Sequence, residues 1–192
     1  MTICIGVVDP VGRHVYVGAD SGCSCNSFYT STRTPKVFHV NEQIVIGCAG
    51  SIRMANLLYS DNGLFDGVSE TVCDDTIKEL ITVFIPKLKT HVETLNKEDS
   101  AFDLILGFKN RLYRIQSDLG IYESSTGLET IGSACEVAYG AMKAMSNYAS
   151  EVSMREKIYK AIEICSQYSY GIVTKDARVL STREMVCLKP HG

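Results

Sequence analysis

Thr2 is the first residue with a chemistry of its own. A methionine ahead of a small residue is commonly removed, which would leave Thr2 with a free α-amine. Such a residue carries a hydroxyl nucleophile and its own general base, since an α-amino group titrates near ~7.7–8.0. While Met1 stays in place that amine is an amide and accepts no proton. A Met-Thr start also arises by chance, so position alone does not decide. Three further residues stand at element boundaries. Asp20 closes a strand in Val15-Tyr16-Val17-Gly18-Ala19-Asp20-Ser21, and Lys36 opens the next in Thr34-Pro35-Lys36-Val37-Phe38. Gly50 lies in the small-residue turn Gly47-Cys48-Ala49-Gly50-Ser51, ahead of a helix. Taken singly, Asp20 could cap a loop, Lys36 could be a surface cation and Gly50 could permit a tight turn. Their joint register with Thr2 is what those roles leave unexplained.

Metal chemistry has less support. Cys23-Ser24-Cys25 is the only close cysteine pair, and one intervening residue is a poor zinc spacing. His14, His39, His91 and His191 are far apart in sequence. No metal and no organic cofactor is expected.

These residues need elements to position them. Thr2–Val8 and His14–Ala19 are β-rich runs around Asp9-Pro10-Val11-Gly12, a turn cluster, and predict an antiparallel hairpin. The polar stretch from Asp20 to Pro35 reads as a long surface loop. Lys36–Val40 and Gln43–Cys48 predict a second hairpin, and Ile52–Tyr59 has helical spacing. Asp74 or Asp75 could cap a helix over Thr76–Asn96, which Pro86 is expected to kink. Phe102–Phe108, Arg111–Gln116 and Gly120–Glu123 predict more sheet. Ser133–Tyr148 and Met154–Tyr168 predict helices, with Ser133 a good N-cap and Ser153 with Glu156 a capping box. Gly171–Thr174 and Val179–Thr182 read as short closing strands. Strands, two helices, strands, two helices, strands is not βαβα alternation. The order predicts an α+β chain: a four-layer αββα sandwich, two antiparallel sheets between helix pairs.

Composition bounds the rest. The chain has 192 residues, 45% hydrophobic and 21% charged, enough for one self-sufficient core, so 1–192 is expected to be a single domain. With 19 Lys+Arg against 22 Asp+Glu there is no electrostatic footprint for nucleic acid or an anionic membrane. No apolar run approaches the ~18 residues of a membrane span. The N-terminus lacks the basic region of a signal peptide. Eight cysteines, scattered through apolar segments, read as reduced core residues. A soluble cytoplasmic protein is expected.

In this register the sequence resembles the proteasome-type N-terminal-nucleophile hydrolases: β-type proteasome subunits, the HslV peptidase and the bacterial ancestral subunits. The likeness rests on Thr2, Ala19-Asp20-Ser21, Lys36-Val37-Phe38 and the Gly50 turn, and spans nearly the whole chain. Gly132-Ser133 looks like the family's Gly-Ser-Gly motif, with Ala134 in place of the second glycine. Ser169 resembles the end of its Asp-x-x-Ser segment, although Ser166 stands where the family has Asp.

The resemblance implies the N-terminal-nucleophile hydrolase fold and a threonine endopeptidase acting through an acyl-enzyme on Thr2. It makes Thr2 the nucleophile, with Lys36 beside its hydroxyl and Asp20 holding Lys36. Gly50 N–H would face the oxyanion, Ser133 would hydrogen-bond the Thr2 amine and help relay the proton, and Ser169 would be a further catalytic residue. Cys23, Thr34, Cys48 and Ile52 would line the first pocket, implying a neutral apolar residue before the scissile bond. The family also implies a homo-oligomeric ring, polypeptide substrates and an ATP-dependent unfoldase partner. Apolar residues in several directions, Leu57, Leu58, Leu64, Phe65, Val83, Phe84 and Ile85, suggest burial against a second body. A catalytically silent ring subunit of this fold, or an amidohydrolase acting on a small amide through Thr2, stands as the alternative.

Overall fold

A computed structural model of the chain describes residues 2–9, 11, 14–25, 28–61, 63–68, 76–95 and 101–182. Its first half runs β1 (Ile3–Asp9), β2 (His14–Ala19), β3 (Gly22–Cys25), β4 (Phe28–Ser31), β5 (Val37–Asn41), β6 (Ile44–Gly50) and α1 (Ile52–Ser60). A helix in three parts follows: α2 (Thr76–Glu79), a π-helical stretch Leu80–Phe84, and α3 (Ile85–Glu93). Then come β7 (Phe102–Phe108), β8 (Arg111–Gln116), β9 (Ile121–Glu123) and β10 (Leu128–Gly132). Two helices, α4 (Cys135–Tyr148) and α5 (Met154–Tyr168), and β11 (Arg178–Ser181) complete it.

Alternation along β1 sets up the layers. Successive strand residues point to opposite faces, so Ile3, Ile5 and Val7 pack on Ala138, Met142, Ile158 and Ile162 of α4 and α5. Cys4 faces the other way, into a middle layer with Val15, Val17, Val45, Ile105 and Leu112. One antiparallel sheet has the order β10-β1-β2-β11 and the other β5-β6-β7-β8-β9. Phe102, Leu104, Leu106 and Phe108 pack on the α1–α3 side, with Met54, Leu58, Leu80, Phe84 and Leu88. Ile105 of the same strand joins the middle layer. A strand buried on both faces has no polar side to alternate, hence the nearly unbroken apolar run of β7. The result is helices, sheet, sheet, helices: the predicted four-layer sandwich.

Several elements differ from expectation. The stretch expected as loop after Asp20 carries a hairpin, with Gly22 opposite Ser31 and Cys23 opposite Thr30. It belongs to neither main sheet, so no core face imposed an apolar alternation. The edge strand β10 was not expected; it is five residues long and pairs Ile3 with Gly132 and Val7 with Leu128. Gly171–Thr174 is not a strand. Its backbone turns to the end of β2 instead: Ser21 N–H donates to Val173 O at 3.0 Å. Pro86 interrupts the helix through a π turn, in which Ile85 N–H donates to Leu80 O. That wider turn precedes the residue whose ring would meet a helical carbonyl four back. Asp74, Asp75 and Asn96 lie outside the described residues.

Ser133 is not an N-cap: α4 begins at Cys135, and Ala134 precedes it with no side-chain cap. Ser153 does cap α5, accepting from Glu156 N–H at 3.3 Å. Of the apolar residues expected to face a second body, Leu58, Leu64, Phe65 and Phe84 are buried in the chain's own core. Phe65 stacks on Phe84 with ring centroids 4.5 Å apart. Among the described residues, no helix is long and apolar enough to cross a membrane.

Candidate active site

Five element ends converge at one edge of the middle layer. Thr2 precedes β1 on the same face as Cys4, so its side chain enters the gap between the sheets. Asp20 follows β2, Lys36 precedes β5, Gly50 ends β6, and Ser133 follows β10.

Asp20 is the hub, its side chain fully buried. Its Oδ1 accepts from Ile3 N–H at 3.0 Å and from Lys36 Nζ at 2.8 Å. Its Oδ2 accepts from Gly22 N–H at 2.8 Å and Val173 N–H at 3.2 Å. Four donors on two oxygens offset the cost of burying a carboxylate. Lys36 Nζ also donates to Thr2 Oγ1 at 2.9 Å. An ammonium there, with only 10% of its side chain exposed, favours negative charge developing on the hydroxyl oxygen.

The Thr2 backbone is fixed from the other side. Its carbonyl accepts from Ser133 N–H at 2.9 Å and from Ser133 Oγ at 3.4 Å. Gly132 lets β10 approach: its φ is +101°, and a Cβ there would fall 2.1 Å from Thr2 O. Gly50 has φ +102° and turns the chain into α1, where Ser51 Oγ accepts from Met54 N–H.

Two cavities meet at Thr2 and Gly50. One, of about 120 Å³, is lined by Cys23, Thr34, Lys36, Cys48 and Ile52. The other, about 410 Å³, is lined by Phe102, Asp103, Ser117 and Ser133. The structure therefore brings together Thr2, Asp20, Lys36, Gly50 and Ser133, with Cys23, Thr34, Cys48 and Ile52 around the smaller cavity. Ser169 lines neither cavity; its N–H closes α5 on Cys165 O. Ser166 Oγ donates to Glu163 O, within that same helix.

The buried thiols nearby are poor nucleophiles. Burial pushes Cys48 up to about 12 and raises Cys4 well above the ordinary thiol range, although Lys36 pulls both the other way. Thiols so shifted are protonated near neutral pH and weakly nucleophilic. Among the described residues, no three His, Cys, Asp or Glu side chains gather as a metal-ligand set.

Sequence reasoning missed two contributors. Val173 acts through its backbone N–H, which leaves no mark in a sequence. Asp103 did leave one: it is the single charged residue in the apolar run of β7.

No protein-family model and no curated protein matches the sequence. Solved structures do match. Eukaryotic HslV from Trypanosoma brucei superimposes with a TM-score of 0.71 at 19% identity, covering 96% of this chain and 100% of that one. Thiobacillus denitrificans BPH, in complex with epoxomicin, gives 0.72 at 17% identity, over 94% and 97%. Anbu, the ancestral β-subunit, from Yersinia bercovieri gives 0.67 at 14%, over 93% and 81%. At such identities the likeness is one of architecture. The chain has the proteasome-type N-terminal-nucleophile hydrolase fold.

Proposed function

We propose that the protein is a threonine peptidase whose nucleophile is Thr2 Oγ after removal of Met1. The observation that carries the reading is the chain Asp20–Lys36–Thr2, with contacts of 2.8 and 2.9 Å, at the junction of two cavities.

The freed α-amine takes the Thr2 hydroxyl proton as Oγ attacks a peptide carbonyl. Lys36 favours the developing alkoxide, and Asp20 keeps Lys36 in place. Gly50 N–H stabilises the oxyanion, a contact worth about 3 kcal/mol when lost. The ammonium on Thr2 then gives its proton to the leaving amine, with Ser133 Oγ as the relay. Water enters the vacated side, loses its proton to the amine and hydrolyses the ester, which restores Thr2. Cys23, Thr34, Cys48 and Ile52 make the smaller cavity neutral, so it suits an apolar residue before the scissile bond. A methylene there discriminates by only ~1–3 kcal/mol, giving a broad preference. The working form is a homo-oligomeric ring that limits access to Thr2, and an unfoldase would supply it with chains.

Intact mass and fluorogenic peptides test this together. The expected result is loss of Met1, hydrolysis of peptides with apolar residues before the bond, and none by Thr2→Ala. Epoxomicin, bound in the BPH structure, is expected to inhibit. Quantitative retention of Met1, or full activity in Thr2→Ala, would overturn the mechanism and favour a silent subunit.

A further inference from the structure

Asp103 is out of place by composition. Its neighbours Phe102 and Leu104 are buried, and a carboxylate in such a strand is costly unless paired or used. Phe102, Leu104, Leu106 and Phe108 face the helices while Ile105 faces the middle layer. Alternation therefore puts Asp103 on the middle-layer face that Thr2 shares, at its open end. Asp103 Oδ2 accepts from Arg114 Nη2 at 3.0 Å, and 29% of the Asp103 side chain remains exposed. Among the described residues lining the larger cavity, Asp103 is the one with a charged side chain, and Ser117 and Ser133 add hydroxyls. Arg114 does not line that cavity; it lines another, with Tyr122 and Glu129. The carboxylate thus faces the cavity while the guanidinium holds it from behind.

Proton traffic says which half of a substrate enters there; this step rests on the peptidase reading. The leaving amine takes its proton from the Thr2 α-amine, so it departs on the side of the Thr2 backbone. Gly132 and Ser133, which hold that backbone, line the larger cavity, whereas Lys36 lines the smaller one. The larger cavity is the leaving-group side.

We propose that Asp103 is a specificity-determining residue that makes this side select a basic residue, Lys or Arg, directly after the scissile bond. A lysine or arginine side chain entering the cavity meets one carboxylate and two hydroxyls. A glutamate meets the like charge of Asp103. Arg114 orients Asp103 and partly masks its charge.

The test uses the full chain and matched quenched peptides with the same apolar residue before the bond and Lys, Gln or Glu after it. Cleavage positions are read by mass spectrometry. The ratio of kcat/KM for Lys over Glu is expected to be about tenfold in the native chain, the scale of a partly exposed charge contact. Asp103→Asn brings that ratio to about one, and Arg114→Gln, which unmasks the carboxylate, raises it. General damage to the fold slows every peptide but does not move the ratio in opposite directions. A native ratio near one, a ratio untouched by D103N, or a fall in R114Q overturns the inference while leaving the peptidase reading intact. Absence of all cleavage sinks the peptidase reading, and this inference with it.

Discussion

Asp20 and Lys36 form one ion pair, yet losing either has unequal consequences. Removing Lys36 leaves Asp20 with three backbone donors, from Ile3, Gly22 and Val173. Asp20→Asn keeps the shape but turns an amide N–H₂ toward groups that are all donors. Breaking a buried pair costs roughly 3–5 kcal/mol when the remaining group is left unmatched. Asp20→Asn is therefore expected to lose about 3 kcal/mol in urea denaturation, and Lys36→Ala distinctly less. Both lower peptide hydrolysis by at least about a hundredfold. Equal destabilisation by the two would mean that the backbone donors contribute little.

At the scale of elements, β10 meets the start of β1 only because a glycine ends it. A Cβ at Gly132 would lie 2.1 Å from Thr2 O on a backbone with φ +101°. Gly132→Ala is expected to cost about 1–3 kcal/mol for the conformation alone, and to displace Thr2. Gly140 is the control: it lies inside α4, and an added Cβ there meets nothing within 4 Å. Gly140→Ala is expected to raise stability by about 0.5–1 kcal/mol, from helix propensity. Thermal unfolding of both variants, with peptide hydrolysis, checks the contrast. The same elements show what a sequence can reveal. Long periodic segments were legible: both main hairpins, α1, α4 and α5, and the unbroken run of β7. The residues at their ends, Asp20, Lys36 and Gly50, were legible as a set through their register with Thr2, and the structure brings them together around it. The hairpin at β3 and β4 was not, since its residues answer to no main-sheet core face. Nor was the path of 171–174, whose backbone bonds to Asp20 and Ser21 rather than to a ladder.

At the scale of the whole molecule, the apolar residues left over after folding are fewer than the sequence suggests. Leu64 and Phe65 close over the helices rather than project from them. What stays exposed on the α1–α3 side is Ile52 at 42%, Tyr59 at 57% and Ile81 at 47%. Ile52 belongs to the smaller cavity; Tyr59 and Ile81 are the positions expected to be covered in a ring of identical chains, since a heterologous contact closes when its rotation permits. Light scattering at micromolar concentration is expected to give a multiple of 21.1 kDa, reduced toward that mass by Ile81→Glu with Tyr59→Glu. A stable native monomer would defeat the ring.

The four donors on Asp20 also impose an order in time. They come from the residue after Thr2, from the start of β3, from Lys36 and from Val173, which is 153 positions away along the chain. Contacts of such separation form late, because the loop between them must close first. A chain still emerging from synthesis, or cut short before 173, holds its threonine without the finished clamp around Asp20. If Thr2 is the nucleophile proposed above, competence is expected only with the last part of the fold, so that a half-made chain would not yet be armed.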